Sequence, residues 1–522
     1  MRNARRLPGG AARDHVNRAT QHQRNARGTR RAAVGPGPRA WLGVLRRGKT
    51  FSLRLTGFSE TTCPTTRWQP VRTLYNILFL FGFIVSAPYY FWRLWRRGNW
   101  VQGFGERFAQ YDTKLKQALT NRQTIWLHAV SVGEVGLCIH LIKALEPRLP
   151  NAKFVVSTTT TTGMGELKKR LPTSISKIYY PIDRRSYVAR AQAVVHPLAI
   201  VLVEAEIWPN FIWRAQSQRT PLFLVNARMS DRSFRRYKRY GFLFRSLFAT
   251  FTGVGAQSAA DAQRLQAIGC RPEAVRITGS LKFDAAQAGP AHPPDVPVLL
   301  ARAGAQAGAP ILVCGSTHDG EEALLGKIFL RLRQQIPNLF LVLVPRHFER
   351  TSEVARDLQA LKLRYVLRTD LSTAGTDAPR PADCLIVNTT GELRAFYAHA
   401  TVVFVGKSLT AQGGQNPLEP CALGKATVFG PNMQNFRDVV SMLLAGQAAL
   451  QVADAQTLES TLVQLLTQPH AREQLGQKGA AIIQNNRGAI ERTVEMIVAG
   501  LHGSGLYIAP RESAPTAASL SH

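Results

Sequence analysis

Gly406-Lys-Ser-Leu-Thr-Ala-Gln-Gly-Gly-Gln-Asn-Pro-Leu-Glu419 comes directly after the strand-like run Thr401-Val-Val-Phe-Val405. Pro417 is where a helix is expected to open, because a missing N–H costs nothing in a first turn. A strand, a glycine loop and a helix N-terminus in succession are the parts of a βα turn. Backbone N–H groups and the helix dipole converge there on one spot and favour an anion. Gly413, Gly414 and Asn416 fall in the loop, and Glu419 follows within the first helical turn, where a carboxylate accepts from a sugar diol. These residue types suit a nucleotide-sugar phosphate. An ordinary strand–loop–helix connection has the same pattern.

The alternation of short apolar runs with amphipathic stretches extends in both directions from this turn. Ala285–Val298 interrupts it with Pro, Gly and Ala and reads as a linker. After it, strand candidates are Ile311–Cys314, Leu339–Val344, Cys384–Val387, Thr401–Val405, Ala426–Phe429 and Ala448–Val452. Before it, they are Thr124–Ala129, Lys153–Ser157, Lys177–Tyr180, Leu198–Val203, Pro221–Val225 and Thr252–Ala256, with helical patterns such as Glu134–Arg148 between. Strands alternating with helices predict parallel sheets. The expected fold is α/β, with two doubly wound, Rossmann-like domains facing a cleft (the GT-B architecture) after an N-terminal membrane helix. Expected boundaries are a basic head at 1–72, an anchor at 73–97, a first domain at 98–284, a linker at 285–298, a second domain at 299–500 and a tail at 501–522. Ligands of such sheets bind at the C-terminal ends of strands.

The chain has 522 residues, 19% charged and 45% hydrophobic, within the range of globular proteins. Its formal charge of +33 is not. Met1–Arg72 carries 16 Lys and Arg against Asp14 and Glu60, a net +14, which leaves +19 on the rest. This head lacks a sustained hydrophobic period and reads as disordered. A transit-like segment and an upstream start codon both fit it. A basic body suits phospholipid, phosphorylated glycolipid or nucleic acid. Leu74–Trp92 is almost unbroken apolar sequence, about 19 residues, just enough for a bilayer core. Arg93, Arg96 and Arg97 put its far flank in the cytoplasm by the positive-inside rule. A spanning helix and one lying in the interface plane both fit. The six cysteines form no CxxC pair or Cys/His cluster, so neither a zinc site nor a disulfide framework is indicated. A reduced, cytosol-facing body is expected.

His128-Ala-Val-Ser-Val-Gly-Glu134 ends the first strand and puts Ser131, Gly133 and Glu134 on a strand–helix turn at the cleft. Ser131 and Glu134 fit a capping box. Glu134 equally fits a general base for an attacking hydroxyl, which must lose its proton as the new bond forms. Arg346, in Pro-Arg-His after a strand, suits a phosphate. Ser316, Thr317 and His318 follow the first strand of the second domain, either as donors to phosphate or sugar carboxylate or as a helix cap. Gly391 and Glu392 open a further helix whose first amides suit phosphate. Glu204, Glu206, Asn226 and Arg228 fall at cleft ends of strands.

Nine segments in order resemble the 3-deoxy-D-manno-octulosonic acid (Kdo) transferases of lipopolysaccharide synthesis. They are HAVSVGE (128–134), STTTTTGMGE (157–166), EAEIWPN (204–210), VNARMS (225–230), GSLKFD (279–284), GSTHDGEE (315–322), LVPRHFER (343–350), NTTGELRAFY (388–397) and GGQNPLEP (413–420). The resemblance covers about Leu74 to Ile497. It implies a glycosyltransferase that moves Kdo from CMP-Kdo to a hydroxyl of a lipid A precursor with inversion, at the cytoplasmic face of the inner membrane. It gives Glu134 the role of catalytic base and the second domain the CMP moiety; Lys282 would meet the Kdo carboxylate. The expected partners are CMP-Kdo, the lipid A precursor and the membrane, and no nucleic acid. A CMP-sugar carries one phosphate, and no Asp-x-Asp motif stands out, so no metal and no cofactor are expected. Lys407 stands where the family usually has glycine, and Gln415 where it often has histidine. Two rival readings are a GT-B enzyme using a UDP-sugar and a membrane-tethered nucleic-acid binder. The ordered motifs argue against the first. The concentration of charge in the head and the lack of interleaved aromatic RNA-binding motifs argue against the second.

Overall fold

The computed structural model describes residues 69–96, 103–204, 207–286, 293–371 and 381–510. Most of the basic head, Glu206 and residues 511–522 lie outside them. Strands β1 (Thr124–His128), β2 (Lys153–Thr158), β3 (Ser176–Tyr179), β4 (Pro197–Val203), β5 (Leu222–Ala227), β6 (Gly253–Ala256) and β7 (Val275–Ile277) form one parallel sheet, ordered β3-β2-β1-β4-β5-β6-β7. Strands β8 (Ile311–Thr317), β9 (Phe340–Pro345), β10 (Tyr365–Leu367), β11 (Cys384–Ile386), β12 (Val402–Val405), β13 (Ala426–Phe429) and β14 (Leu450–Gln451) form a second, ordered β10-β11-β9-β8-β12-β13-β14. Helices cover both faces, so β1, β5 and β12 are buried at every position, which is why they read as unbroken apolar runs. The winding direction reverses between β1 and β4 in one sheet and between β8 and β12 in the other. At such a reversal a crevice opens beyond the strand C-termini. Two doubly wound sheets of this kind are the GT-B architecture.

The crossing between the sheets differs from the linker expected over 285–298. Leu281–Ala285 is helical, and Asp295 caps a helix at Val296–Arg302 through the Val298 N–H. Val296, Leu299 and Leu300 pack into the second core; residues 287–292 lie outside the described set. The chain also crosses back. Helix Ala489–Gly500, expected with the second domain, packs against the first sheet through Val494, Met496, Ile497 and Val498. Helical periodicity reports which face is apolar but not which core receives it. Asp284 fastens the two crossings together, accepting from Gly488 N–H at 2.8 Å and Ile490 N–H at 2.7 Å. The chain after Ser504, within the tail expected at 501–522, buries Leu506 in the first core, and Ala509 N–H donates to the Arg148 carbonyl at 2.9 Å.

The N-terminal helix spans Gln69–Arg96, with Pro88 inside it, and its Val71–Trp92 stretch is long and apolar enough to cross a membrane. Its first turns are bound to the first domain. Tyr75 Oη donates to Asp183 Oδ2 at 2.8 Å, Asn210 Nδ2 donates to Asn76 Oδ1 at 2.9 Å, and the Tyr75 ring meets Trp213 edge-on at 5.7 Å. Beyond them Ile77–Trp92 remains, about 24 Å of helix against a hydrocarbon core of about 30 Å. By Arg107 the chain is back on the same domain, where its guanidinium donates to the Thr159 carbonyl at 2.7 Å.

Asp183 also accepts from the N–H groups of Asn210 (3.0 Å) and Phe211 (2.9 Å) at the start of helix Pro209–Ser217. Burial nevertheless pushes its carboxyl up to about 7. Between pH 4 and 7 the unfolded carboxyl has lost its proton and the folded one still holds it, so stability falls as pH rises through that window and levels off above it. Urea midpoints of detergent-dispersed protein at pH 5 and 8 should show this slope, and Asp183→Asn should flatten it. An equal slope in the variant would assign the pH dependence to another group.

Candidate active site

The two switch points carry the motifs. At the first, Ser131 caps helix Val132–Leu145 in extended conformation. Its Oγ accepts from Glu134 N–H at 3.2 Å and donates to Glu134 Oε1 at 2.8 Å, while Val130 N–H donates to Oε2 at 2.8 Å. The Ser131 cap is therefore formed, worth about 1 kcal/mol to the helix, and the returning carboxylate takes the N–H of Val130, one residue before the position a capping box uses. The same bonds hold the half-buried carboxylate at the strand mouth. Gly133 is exposed, and a Cβ there would meet only Ser131 Oγ, at 3.8 Å. His128 belongs to the core. It stacks on Tyr180 at 3.9 Å, its Nδ1 lies 2.9 Å from Ser157 Oγ, and burial pushes its imidazole down to about 3, so it stays neutral.

Beside it, β4 runs into Glu204 at φ +61° and β5 contains Asn226 at φ +53°. Left-handed backbone at non-glycine residues costs of order 1–3 kcal/mol and collects at functional sites. Asn226 Nδ2 donates to Glu204 Oε1 at 3.3 Å, and its Oδ1 accepts from Leu281 N–H at 3.1 Å. Lys282, expected to meet a sugar carboxylate, lies 3.3 Å from Glu204 Oε1. Arg228 reaches the other domain, with Nε 2.7 Å from Asp438 Oδ2.

The second wall departs from the expected anion cradle. Glu321, fully buried, fills the turn after β12 with the protein's own carboxylate. It accepts from the N–H groups of Lys407 (2.6 Å), Ser408 (2.8 Å) and Leu409 (3.0 Å), and from that of His318 after β8 (3.0 Å). Gly406 lets the two turns touch, since a Cβ there would stand 2.6 Å from Thr317 Cα. Gly413 N–H donates to Gln434 Oε1 at 2.7 Å and Gly414 N–H to the Lys407 carbonyl at 3.0 Å. Gly414 sits at φ +70°, where a Cβ would strike Met433. The helix starts at Leu418, one residue later than expected, with Pro417 as its cap. Thr317 is buried and donates to Glu322 Oε1 at 2.8 Å, and Glu322 in turn pairs with Arg350. Glu392 is held by Arg368 at 3.0 Å and by the Thr389 hydroxyl at 2.7 Å, so its carboxylate braces the loop in which Gly391 takes φ +91°.

Five groups remain turned to chemistry on this wall. Arg346 is exposed, and its guanidinium has no hydrogen bond or ion pair among the described residues. His318 Nδ1 is buried without a partner among the described residues, and Ser316, half-buried, sits at φ +56°. Asn416 Nδ2 donates to Glu419 Oε1 at 3.1 Å. Burial pushes the Glu419 carboxyl above the usual carboxylate range, against Asn416 and the guanidinium groups of Arg394, Arg346 and Arg170. Arg170 comes from the first domain, and its neighbour Lys169 donates to Thr390 Oγ1 at 3.0 Å. Sequence reasoning missed Glu321, Asp438 and Lys169. Only Glu321 had a local signal, an acidic pair opening a helix just after a strand.

The fold is that of the GT-B class. Residues 102–285 match the family model described as 3-deoxy-D-manno-octulosonic-acid transferase. The chain is 33% identical over 427 residues to the 3-deoxy-D-manno-octulosonic acid transferase of Bordetella pertussis, covering 79% of this chain and 96% of that one. It is 31% identical over 404 residues to the enzyme of the same name from Haemophilus influenzae, covering 76% and 91%. Among solved structures it is similar to the C-terminal CMP-Kdo binding domain of WaaA from Acinetobacter baumannii, at 29% identity over 36% of this chain and 99% of that one, with a TM-score of 0.32. The chain belongs to the Kdo transferase family.

Proposed function

We propose that this enzyme transfers Kdo from CMP-Kdo to a hydroxyl of a lipid A precursor in one inverting displacement. The observation that carries the reading is the pairing of the switch points: a hydrogen-bonded carboxylate at one, and at the other a guanidinium and an imidazole nitrogen that have no partner among the described residues. Glu134 takes the acceptor proton as the acceptor oxygen bonds to the anomeric carbon of Kdo. The bond from that carbon to the phosphate oxygen breaks, and CMP leaves with the electron pair. Arg346 and His318 stabilise the departing phosphate. Ser316 and Asn416 complete the donor wall, with Glu419 set to accept from the donor's hydroxyls. Lys282, Asn226 and Arg228 serve the sugar or acceptor by exchanging partners, Lys282 from Glu204 and Arg228 from Asp438. Incubation with CMP-Kdo and a tetra-acylated acceptor, read by mass spectrometry, should add Kdo mass. Product from UDP-sugars alone would overturn the donor assignment.

Arg346→Ala and Glu419→Ala should each weaken CMP binding in calorimetry and leave acceptor binding in place. Loss of a charge-assisted bond of about 1.5–3 kcal/mol corresponds to roughly 10–150-fold in affinity. Two variants with normal CMP affinity would put the donor pocket elsewhere.

The N-terminal helix is the membrane attachment, at the inner membrane. Its foot and the chain after it rest on one domain, which favours a helix lying in one leaflet or in the interface over one that spans, with the body at the cytoplasmic face. Deleting Met1–Pro70 should leave activity intact. Deleting up to Trp92 should release the protein from membranes in high salt and lower activity more on a bilayer acceptor than on a detergent-dispersed one. Retention of that deletion on membranes in high salt would place the attachment elsewhere.

A further inference from the structure

Two short helices, Asp231–Arg239 and Gly241–Phe248, follow β5 and meet at Tyr240. The first buries no residue and exposes Arg232, Arg235, Arg236, Lys238 and Arg239. Its one acid, Asp231, is paired with Arg264. Among the described residues none of the five cations has a carboxylate partner. Arg236, Lys238 and Arg239 lie over the neighbouring rings of Tyr237, Phe234 and Tyr240 at 5.8–5.9 Å. A solvated helix ordinarily intersperses opposite charges three or four residues apart; this one accumulates like charge and repels itself. At the joint stand two exposed aromatics, Tyr240 and Phe242, the latter 69% exposed. Beside them a groove of about 940 Å³ has Lys238, Arg239 and Arg245 on its rim and Phe242, Ala249 and Ile268 among its lining.

The position of this surface selects its partner. Phe234, Tyr237 and Phe244 pack on the same core as Trp213, and so do Val71 and Tyr75 from the foot of the N-terminal helix. Gln216, one turn along from Trp213, lines the groove. The basic helix pair therefore stands on the wall from which the apolar helix leaves. We propose that it is a docking surface for an anionic lipid bilayer, with the cations against headgroup phosphates and with Tyr240 and Phe242 at headgroup depth. Each Lys or Arg near an anionic leaflet contributes about 1 kcal/mol, and aromatic rings settle at that interface. The proposal rests on the membrane attachment described above and is independent of which sugar is transferred.

The test uses the full chain carrying Cys63→Ser and Phe242→Cys, labelled with an environment-sensitive fluorophore, since the five cysteines among the described residues are buried. Vesicles are phosphatidylcholine alone or mixed with phosphatidylglycerol. The label should shift to the blue on the mixed vesicles and not on the neutral ones. The shift should be lost as salt rises from about 0.15 to about 1 M, where the screening length falls from about 8 to about 3 Å. Arg235→Glu, Arg236→Glu and Lys238→Glu together should weaken this signal about tenfold or more, while the apolar helix keeps the protein on the vesicles. If that triple variant misfolds, the lipid and salt comparisons on the labelled parent decide alone. An equal shift on both vesicle types overturns the proposal. So does a shift without vesicles that grows with protein concentration, which would make a second copy the occupant, or one produced by RNA alone. No sugar donor is present, so failure here leaves the transferase reading untouched, and failure of Kdo transfer leaves this one untouched.

Discussion

Glu134→Gln is expected to lower turnover by roughly 10²–10⁴, the usual contribution of a positioned general base. The change keeps the shape and the acceptor oxygen of the side chain and removes its capacity to take a proton. The cap loses little: one amide oxygen still accepts from Val130 N–H or the Ser131 hydroxyl, which now donate to Oε2 and Oε1. Loss of the cap alone costs on the order of 1 kcal/mol of helix stability. Stability and turnover therefore separate the two roles that this side chain combines. Affinity for CMP should not change, because the donor wall belongs to the other sheet. Near-normal turnover in the variant would reduce Glu134 to a helix cap.

Glu321→Ala should be the most destructive single change in the second domain. It strands four N–H groups, those of His318, Lys407, Ser408 and Leu409, in the space its carboxylate occupied. A buried donor left without an acceptor costs about 1–3 kcal/mol, so a loss of at least about 3 kcal/mol is expected in denaturant unfolding. CMP binding should fall with it, because this carboxylate ties the turn after β8 to the turn after β12; the only further hydrogen bond between them among the described residues runs from the Thr410 hydroxyl to the Asp319 carbonyl at 2.7 Å. Glu321→Gln should recover only part, as the amide brings two donors of its own to a place that needs acceptors. A wild-type unfolding midpoint for the alanine variant would mean that water or another group replaces the carboxylate.

The parallel sheets were legible because strands covered on both faces are apolar throughout, and turn residues mark their ends. The edge strands β7 and β10 were not, since they are only partly buried and leave no apolar run, whereas the equally short β11 is buried throughout and does. Site positions were legible as motifs at strand ends, but not what holds them. Nothing local in Gly406–Glu419 shows that its amides face a carboxylate 86 residues earlier in the chain. Arg228 and Lys169 read as ordinary surface cations until the fold brings Asp438 and Thr390 to them. Electrostatic partners far apart in sequence are a product of the tertiary arrangement, whereas burial on an element leaves its trace in composition.

Helix Ala489–Gly500 has a consequence for biosynthesis. It closes the first core, with Met496 beside Gly253 and Gly500 beside Phe223. A nascent chain that has left the ribosome only as far as Arg487 contains all fourteen described strands, yet the face of the first sheet carrying Val201, Phe223 and Val225 has only helix Val132–Leu145 and its neighbours over it and still lacks the rest of its cover. Through the whole translation of the second domain that face stays open to chaperones or to misassembly. A premature stop just before residue 489 removes no strand and no proposed catalytic group, but it leaves an apolar wall in water. The domain that the ribosome starts first is the one whose packing is completed last.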